Sequence, residues 1–186
     1  MAHRICPVWL GYLLASPLRR LRNNPEAILT PFVREGMTVL DIGSAMGFFS
    51  LPMARMVGPA GRVVCVDIQP KMLDVLTGRA RKAQLADRVE TRLCTKDSLC
   101  LDGLDAAVDF ALMFYVVHEV PDPAGALAEV HRAMKPGGTL LLAEPRGHVR
   151  EEEFAATLAA AEAAGFRIAA RPTLGASHGA ALVKPS

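Results

Sequence analysis

Residues 39–50, VLDIGSAMGFFS, run from an apolar stretch through a series of small residues into a second apolar stretch with helical spacing. A chain that leaves a strand through Gly43, Ala45 and Gly47 turns tightly, because glycine adopts left-handed backbone angles without a Cβ penalty. Such a turn brings backbone close to a bound molecule and aims the unpaired N–H groups of the following helix at it. TVLDI itself is short and apolar throughout, as a parallel strand covered on both faces must be. This feature predicts an α/β fold with its ligand at the carboxyl ends of the strands.

The rest of the chain repeats the alternation. RVVCVD reads as a second strand after the turn at Gly58, Pro59 and Gly61, and a helix is expected from Pro70 to about Leu85, where Met72, Leu73, Leu76, Ala80 and Ala83 make an apolar stripe. VETRLC, AVDFALMF and TLLLAE follow as strands, with a helix near DPAGALAEVHRAM and a break at Pro136, Gly137 and Gly138. EEEFAATLAAAEAAGF carries an acidic first turn and ends at Gly165, both favourable to a helix. FRIAAR and GAALVKP then succeed each other without room for a crossover, so they should pair antiparallel. The expectation is a doubly wound, Rossmann-like, mostly parallel seven-stranded sheet ending in an antiparallel strand, preceded by short N-terminal helices capped at Ser16-Pro17 and Asn24-Pro25.

A length of 186 residues suits one domain over 1–186, with 1–35 as a helical prelude or lid. An apolar fraction of 51% with 22% charged residues excludes a mostly disordered polymer, and a net charge of +2 gives no field that would call for nucleic acid. Cys6, Cys65, Cys94 and Cys100 form no CxxC pair and no zinc spacing, so no metal is expected and a reduced, cytoplasmic setting is the default. Cys65, inside RVVCVD, reads as buried packing. Val8 to Ala15 is too short to span a membrane, although Arg19, Arg20 and Arg22 behind it leave a weak peripheral membrane contact open.

Asp67 ends the second strand twenty residues after Gly47, where a carboxylate can accept both hydroxyls of a ribose. Asp97, after the third strand in CTKDSL, could accept an adenine amino group while the next amide meets a ring nitrogen, or it could cap a turn. The pattern fits NAD and other adenosine ligands alike. Ala45, where a pyrophosphate would need close backbone approach, favours a nucleoside without phosphates.

Taken in order, VLDIGSAMG, VVCVD, CTKDS, DFALMFYVVHEVPD and MKPGGTLLLAE resemble the class I S-adenosylmethionine-dependent methyltransferases, in particular the small-molecule branch that includes quinone-biosynthesis and arsenite methyltransferases. The resemblance implies S-adenosylmethionine (SAM) as cofactor and a small-molecule substrate. It implies Asp67 on the ribose with Ile68 beside it, and Asp97 with Ser98 at the adenine. It places Gly43 to Gly47 along the methionine moiety, Met113 touching that moiety through its backbone, and Asp41 organising the glycine loop. Ala45 departs from the usual middle glycine. No Asn-Pro-Pro-Tyr-like run or basic stripe with stacking aromatics is present, which argues against a nucleic-acid substrate.

Displacement at a sulfonium methyl group asks mainly for alignment and exclusion of water. His118 in FYVVHEVPD is the first candidate to face the acceptor, with Glu119 either orienting it or facing solvent; anchoring of the loop before Pro121 is the competing role. His178, at the start of an antiparallel strand, should lie at the same carboxyl edge and is the second candidate, against a role in the turn. Arg146 could bind an acidic substrate or serve the surface, and His3, Cys6, Trp9 and Tyr12 would contribute to a lid or pack on the domain. A nicotinamide-dependent oxidoreductase and a noncatalytic SAM-binding domain remain the alternatives.

Overall fold

A computed structural model describes residues 23–186. The expectations for His3, Cys6, Trp9, Tyr12, the Val8–Ala15 helix and Arg19, Arg20 and Arg22 lie outside the described residues. Seven strands form a Rossmann-like, mostly parallel sheet that ends in an antiparallel pair, and the described chain divides at Cys94/Thr95 into two compact units.

The N-terminal unit holds α1 (Pro25–Leu29), β1 (Thr38–Ile42), α2 (Ser50–Met56), β2 (Arg62–Asp67), α3 (Pro70–Lys82) and β3 (Val89–Leu93), its strands in the order β3-β2-β1 and all parallel. Asn24 caps α1 through Oδ1, which accepts the N–H groups of Glu26 and Ala27 at 3.1 and 3.3 Å. Val63 to Val66 are fully buried in β2, which lies between β1 and β3 and is packed by α2 and α3, and burial pushes the Cys65 thiol far above its ordinary value, as befits packing. Pro52 does not break α2: it is the third helical residue, where the missing N–H would have had no partner within the helix.

The C-terminal unit holds β4 (Val108–Phe114), α4 (Pro123–Ala133), β5 (Met134–Pro145), α5 (Glu151–Ala163), β6 (Arg167–Ala170) and β7 (Ser177–Val183), in the strand order β4-β5-β7-β6. β7 runs antiparallel to both neighbours, as the missing crossover requires. α4 packs on α5 with Leu127, Val130, Phe154 and Leu158 buried.

One expected boundary shifts. Pro136, Gly137 and Gly138 do not separate α4 from the fifth strand, because β5 already pairs at Met134 opposite Val108 and next pairs at Thr139 opposite Phe110. The extra residues bulge, with Gly137 at φ +78° and its N–H given to the Lys184 carbonyl at 2.7 Å.

The turn into β2 is tightly enclosed. A Cβ on Gly61 would stand 2.5 Å from the Val57 carbonyl oxygen and 2.8 Å from that of Met37. Gly61→Ala is therefore expected to destabilise the fold by about 1–3 kcal/mol, read as a lower urea midpoint at unchanged slope. An unmoved midpoint would show that the turn gives way freely.

Candidate functional site

In the N-terminal unit the loop of residues 43–49 intervenes between β1 and α2, so the helix begins seven residues beyond Gly43. Its N–H groups do not start at the glycine turn, and the loop's own donors are largely used internally. Gly43 and Ser44 donate to the Val66 carbonyl at 2.9 and 3.0 Å, Ala45 to Asp67 Oδ2 at 2.8 Å, and Gly47 to the Ser44 carbonyl at 2.9 Å. A pyrophosphate would need such N–H groups for itself. This loop is built for a ligand that approaches it without phosphate oxygens.

Gly43, Ala45 and Gly47 all have left-handed backbone, at φ +71°, +45° and +83°. Ala45 thus takes the conformation glycine favours and keeps its methyl group. Asp67 is buried at the end of β2, its Oδ1 accepting the Gln69 N–H at 2.9 Å. Burial raises its carboxyl above the usual range, against the opposing pull of the backbone donors Gln69, Ala45 and Ile68. With about four acceptor sites on the carboxylate and three backbone donors, Asp67 keeps capacity for a hydroxyl. Asp41 accepts the Ser50 hydroxyl and so ties β1 to the first residue of α2. Ser44 Oγ is buried without a hydrogen-bond partner, an orphaned hydroxyl in the loop expected to meet the methionine moiety. A nucleoside cofactor ending in polar groups fits these residues.

In the C-terminal unit Asp97 is exposed, and the turn is capped by Thr95, whose Oγ1 accepts the N–H groups of Asp97 and Ser98 at 3.3 and 3.1 Å. Ser98 Oγ donates to Glu129 on α4 at 3.1 Å, and the same carboxylate receives the Leu99 N–H. Met113 is fully buried on β4, leaving its backbone as the part that could meet a ligand.

His118 lies in a short 3₁₀ turn just beyond β4. Its Nδ1 is 2.5 Å from Oε2 of Glu144, a carboxylate almost wholly buried on β5, whose Oε1 accepts the Val117 N–H at 2.8 Å. Glu144, not Glu119, orients the ring; Glu119 stands 3.9 Å from Nε2. With Nδ1–H given to Glu144, the neutral imidazole carries its lone pair on Nε2. The hydrogen bond to Glu144 raises the His118 pKa against the effect of burial, and the Glu144 and Glu119 charges add to the rise.

His178 pairs with Glu144 across β5 and β7, so it does reach the carboxyl end of β5. Its ring is otherwise engaged: Nε2 lies 2.9 Å from the Val149 carbonyl, Nδ1 lies 3.0 Å from Glu151, and Phe154 stacks on it. Both ring nitrogens thus face groups of the protein. Beside His118 lie residues the sequence did not single out: His148, its ring 6.1 Å away, and Tyr115, whose hydroxyl meets Ser177 Oγ at 2.5 Å. The available signal for Glu144 was an acidic residue ending an otherwise apolar strand, as Asp67 does.

A methyltransferase domain model matches residues 33–171. The chain belongs to the methyltransferase domain family. This methyltransferase chain is similar in structure to an S-adenosylmethionine-dependent methyltransferase from Aquifex aeolicus, with a TM-score of 0.86 and 28% identity over 97% of this chain and 100% of that one. In sequence it is 34% identical over 112 residues to a ubiquinone/menaquinone biosynthesis C-methyltransferase of Enterobacter sp., and 30% identical over the same length to a demethylmenaquinone methyltransferase of Staphylococcus aureus. Each match takes in 60% of this chain and 44% of the relative, so the chain spans less than half the length of these curated relatives. Among the described residues no cluster of three or more His, Cys, Asp or Glu could hold a metal ion, and no helix is long and apolar enough to cross a membrane.

Two outcomes follow. Ala45→Gly relieves a left-handed alanine and is expected to raise unfolding free energy by roughly 0.5–1 kcal/mol in chemical denaturation. The raised His118 pKa stabilises the folded chain fully below its ordinary value of about 6.5, and that contribution is lost as pH rises through the folded value. Stability should therefore fall with rising pH above about 6.5, and Glu144→Gln should flatten that slope; a slope unaltered in the variant would assign it to other groups.

Proposed function

We propose that the chain transfers a methyl group from SAM to a small-molecule acceptor. The observation that carries the reading is the loop of residues 43–47, whose N–H groups are turned to Val66, Asp67 and Ser44 and so leave little for a pyrophosphate. It favours SAM over NAD, and the family match points the same way.

Asp67 would accept the ribose hydroxyls, with Ile68 alongside. Asp41, Gly43, Ala45 and Gly47 would shape the wall along the methionine moiety, where Ser44 Oγ offers an additional polar atom. Asp97 and Ser98 keep their assignment to adenine and Met113 its backbone contact. The exposure of Asp97 supports the first of these, while Ser98 is already fastened through its hydroxyl to Glu129 and through its N–H to Thr95 Oγ1.

When bound, SAM supplies an electrophilic methyl carbon on a sulfonium. His118 is the acceptor-side base: Glu144 fixes its ring through Nδ1, so Nε2 can take a proton from an acceptor hydroxyl or activated C–H, and the buried carboxylate stabilises the resulting imidazolium. His178, with Nε2 on the Val149 carbonyl and Nδ1 facing Glu151, seats the start of β7 against the Val149 loop and α5. A cytoplasmic setting belongs to the same reading.

Calorimetric titration should detect SAM and S-adenosylhomocysteine but not NAD. Asp67→Ala should weaken cofactor binding by roughly tenfold or more, since a hydrogen bond to a charged group contributes about 1.5–3 kcal/mol. His118→Gln should leave cofactor affinity unchanged and lower turnover about tenfold or more, a loss of about 1.4 kcal/mol in the transition state. NAD binding in place of SAM would overturn the assignment, and normal turnover in His118→Gln would remove the base.

A further inference from the structure

We propose that the acceptor carries a carboxylate, and that Arg146 receives it. The inference rests on the reading of the His118 face as the acceptor side. Arg146 opens the turn directly after β5, two residues beyond Glu144. Its backbone N–H donates to the Ala176 carbonyl at 3.2 Å, and its side-chain Nε donates to the Ser177 carbonyl at 3.2 Å. The guanidinium is thereby fixed over the first residue of β7 by its inner nitrogen, which leaves the two outer nitrogens as a fork.

No acid answers that fork among the described residues. Elsewhere in the same unit Arg132 holds Asp105, Lys135 holds Asp109 and Arg150 holds Glu153. Arg146 is exposed, and its backbone N–H and its Nε both donate to main-chain carbonyl oxygens. What marks Arg146 is its anchoring: Nε is held by the Ser177 carbonyl while the outer nitrogens face outward, in a unit where acidic side chains outnumber basic ones.

Its place joins it to the base. The residue that Arg146 grips through the carbonyl, Ser177, meets the Tyr115 hydroxyl with its own side chain, and Tyr115 leads from β4 into the turn that carries His118. On the other side of the turn, His148 lies with its ring 6.1 Å from that of His118. The carboxyl ends of β4 and β5 and the start of β7 therefore carry, on one edge of the unit, a fork for an anion, a tyrosine hydroxyl and an oriented imidazole. A guanidinium fork matches a carboxylate in plane and spacing, and its single charge neutralises a monoanion. A phosphate dianion would bring a second charge into surroundings that already hold Glu119 and Glu144. Anchoring the carboxylate at Arg146 would hold the acceptor's reacting group toward His118 Nε2.

The test uses the full chain and a set of small hydroxy acids, salicylate and 3-hydroxybutyrate among them, each paired with its neutral amide. Calorimetric titration in the presence of S-adenosylhomocysteine is expected to show at least one acid binding tenfold or more tightly than its amide. Arg146→Gln should bring that pair to parity, and Arg146→Lys, which keeps the charge and loses the fork, should retain part of the preference. Affinity for S-adenosylhomocysteine alone should be the same in all three proteins. Amides that bind as well as acids, a set in which no acid binds, or a preference that survives in Arg146→Gln would each overturn the proposal. The same titrations without S-adenosylhomocysteine keep the two readings apart: an acid preference that depends on Arg146 while S-adenosylhomocysteine fails to bind would sustain the Arg146 site and sink the cofactor assignment.

Discussion

A carboxylate buried at the end of a strand must find hydrogen-bond donors, since desolvating it without them costs several kcal/mol. Three such groups organise this protein. Asp41 on β1 takes the Ser50 hydroxyl, Asp67 on β2 takes the Ala45 and Gln69 amides, and Glu144 on β5 takes the Val117 amide and the His118 ring. Each draws a following or neighbouring loop onto the carboxyl end of its strand. The loops that carry the proposed chemistry owe their shapes to these bonds more than to their own sequences.

The consequence differs between the two units. In the N-terminal unit Asp67 draws Ala45 in, and Ala45 accepts a left-handed conformation that an alanine in isolation avoids. The adverse backbone energy is offset by a charge-assisted hydrogen bond, and the result is a loop whose amides face inward. In the C-terminal unit Glu144 selects one tautomer of His118 and raises its basicity, the two properties a proton acceptor near neutral pH requires. A carboxylate–imidazole pair on a strand end is stiff because the strand is. β5 is paired on both sides, with β4 and β7, which limits how far Glu144 can move.

Much of this was legible in the chain itself. The strands TVLDI and RVVCVD have the boundaries their apolar runs imply, and the antiparallel ending follows from a connection too short for a crossover. Asp67 could be read from its distance to Gly47, since a strand–turn–helix–strand unit has a nearly fixed length. Glu144 could not be matched to His118, because the two are 26 residues apart and meet only through the pairing of β4 with β5. Ser98 with Glu129 and Tyr115 with Ser177, separated by 31 and 62 residues, escaped for the same reason. The bulge at Pro136 to Gly138 looked like a boundary because proline and glycine interrupt a regular ladder whether the strand ends or only buckles.

Hydrophobic periodicity and the placement of glycine and proline act over a few residues, so the sequence by itself determined the order of strands and helices, the parallel sheet with its antiparallel close, and the acidic residue after β2. Which side chains meet across strand ends depends on register, and register is set by packing over the whole sheet. Only the tertiary structure therefore decided that His118 answers to Glu144 and not to Glu119, that His178 turns its two nitrogens to Val149 and Glu151, and that Arg146 is left facing outward without an acid among the described residues.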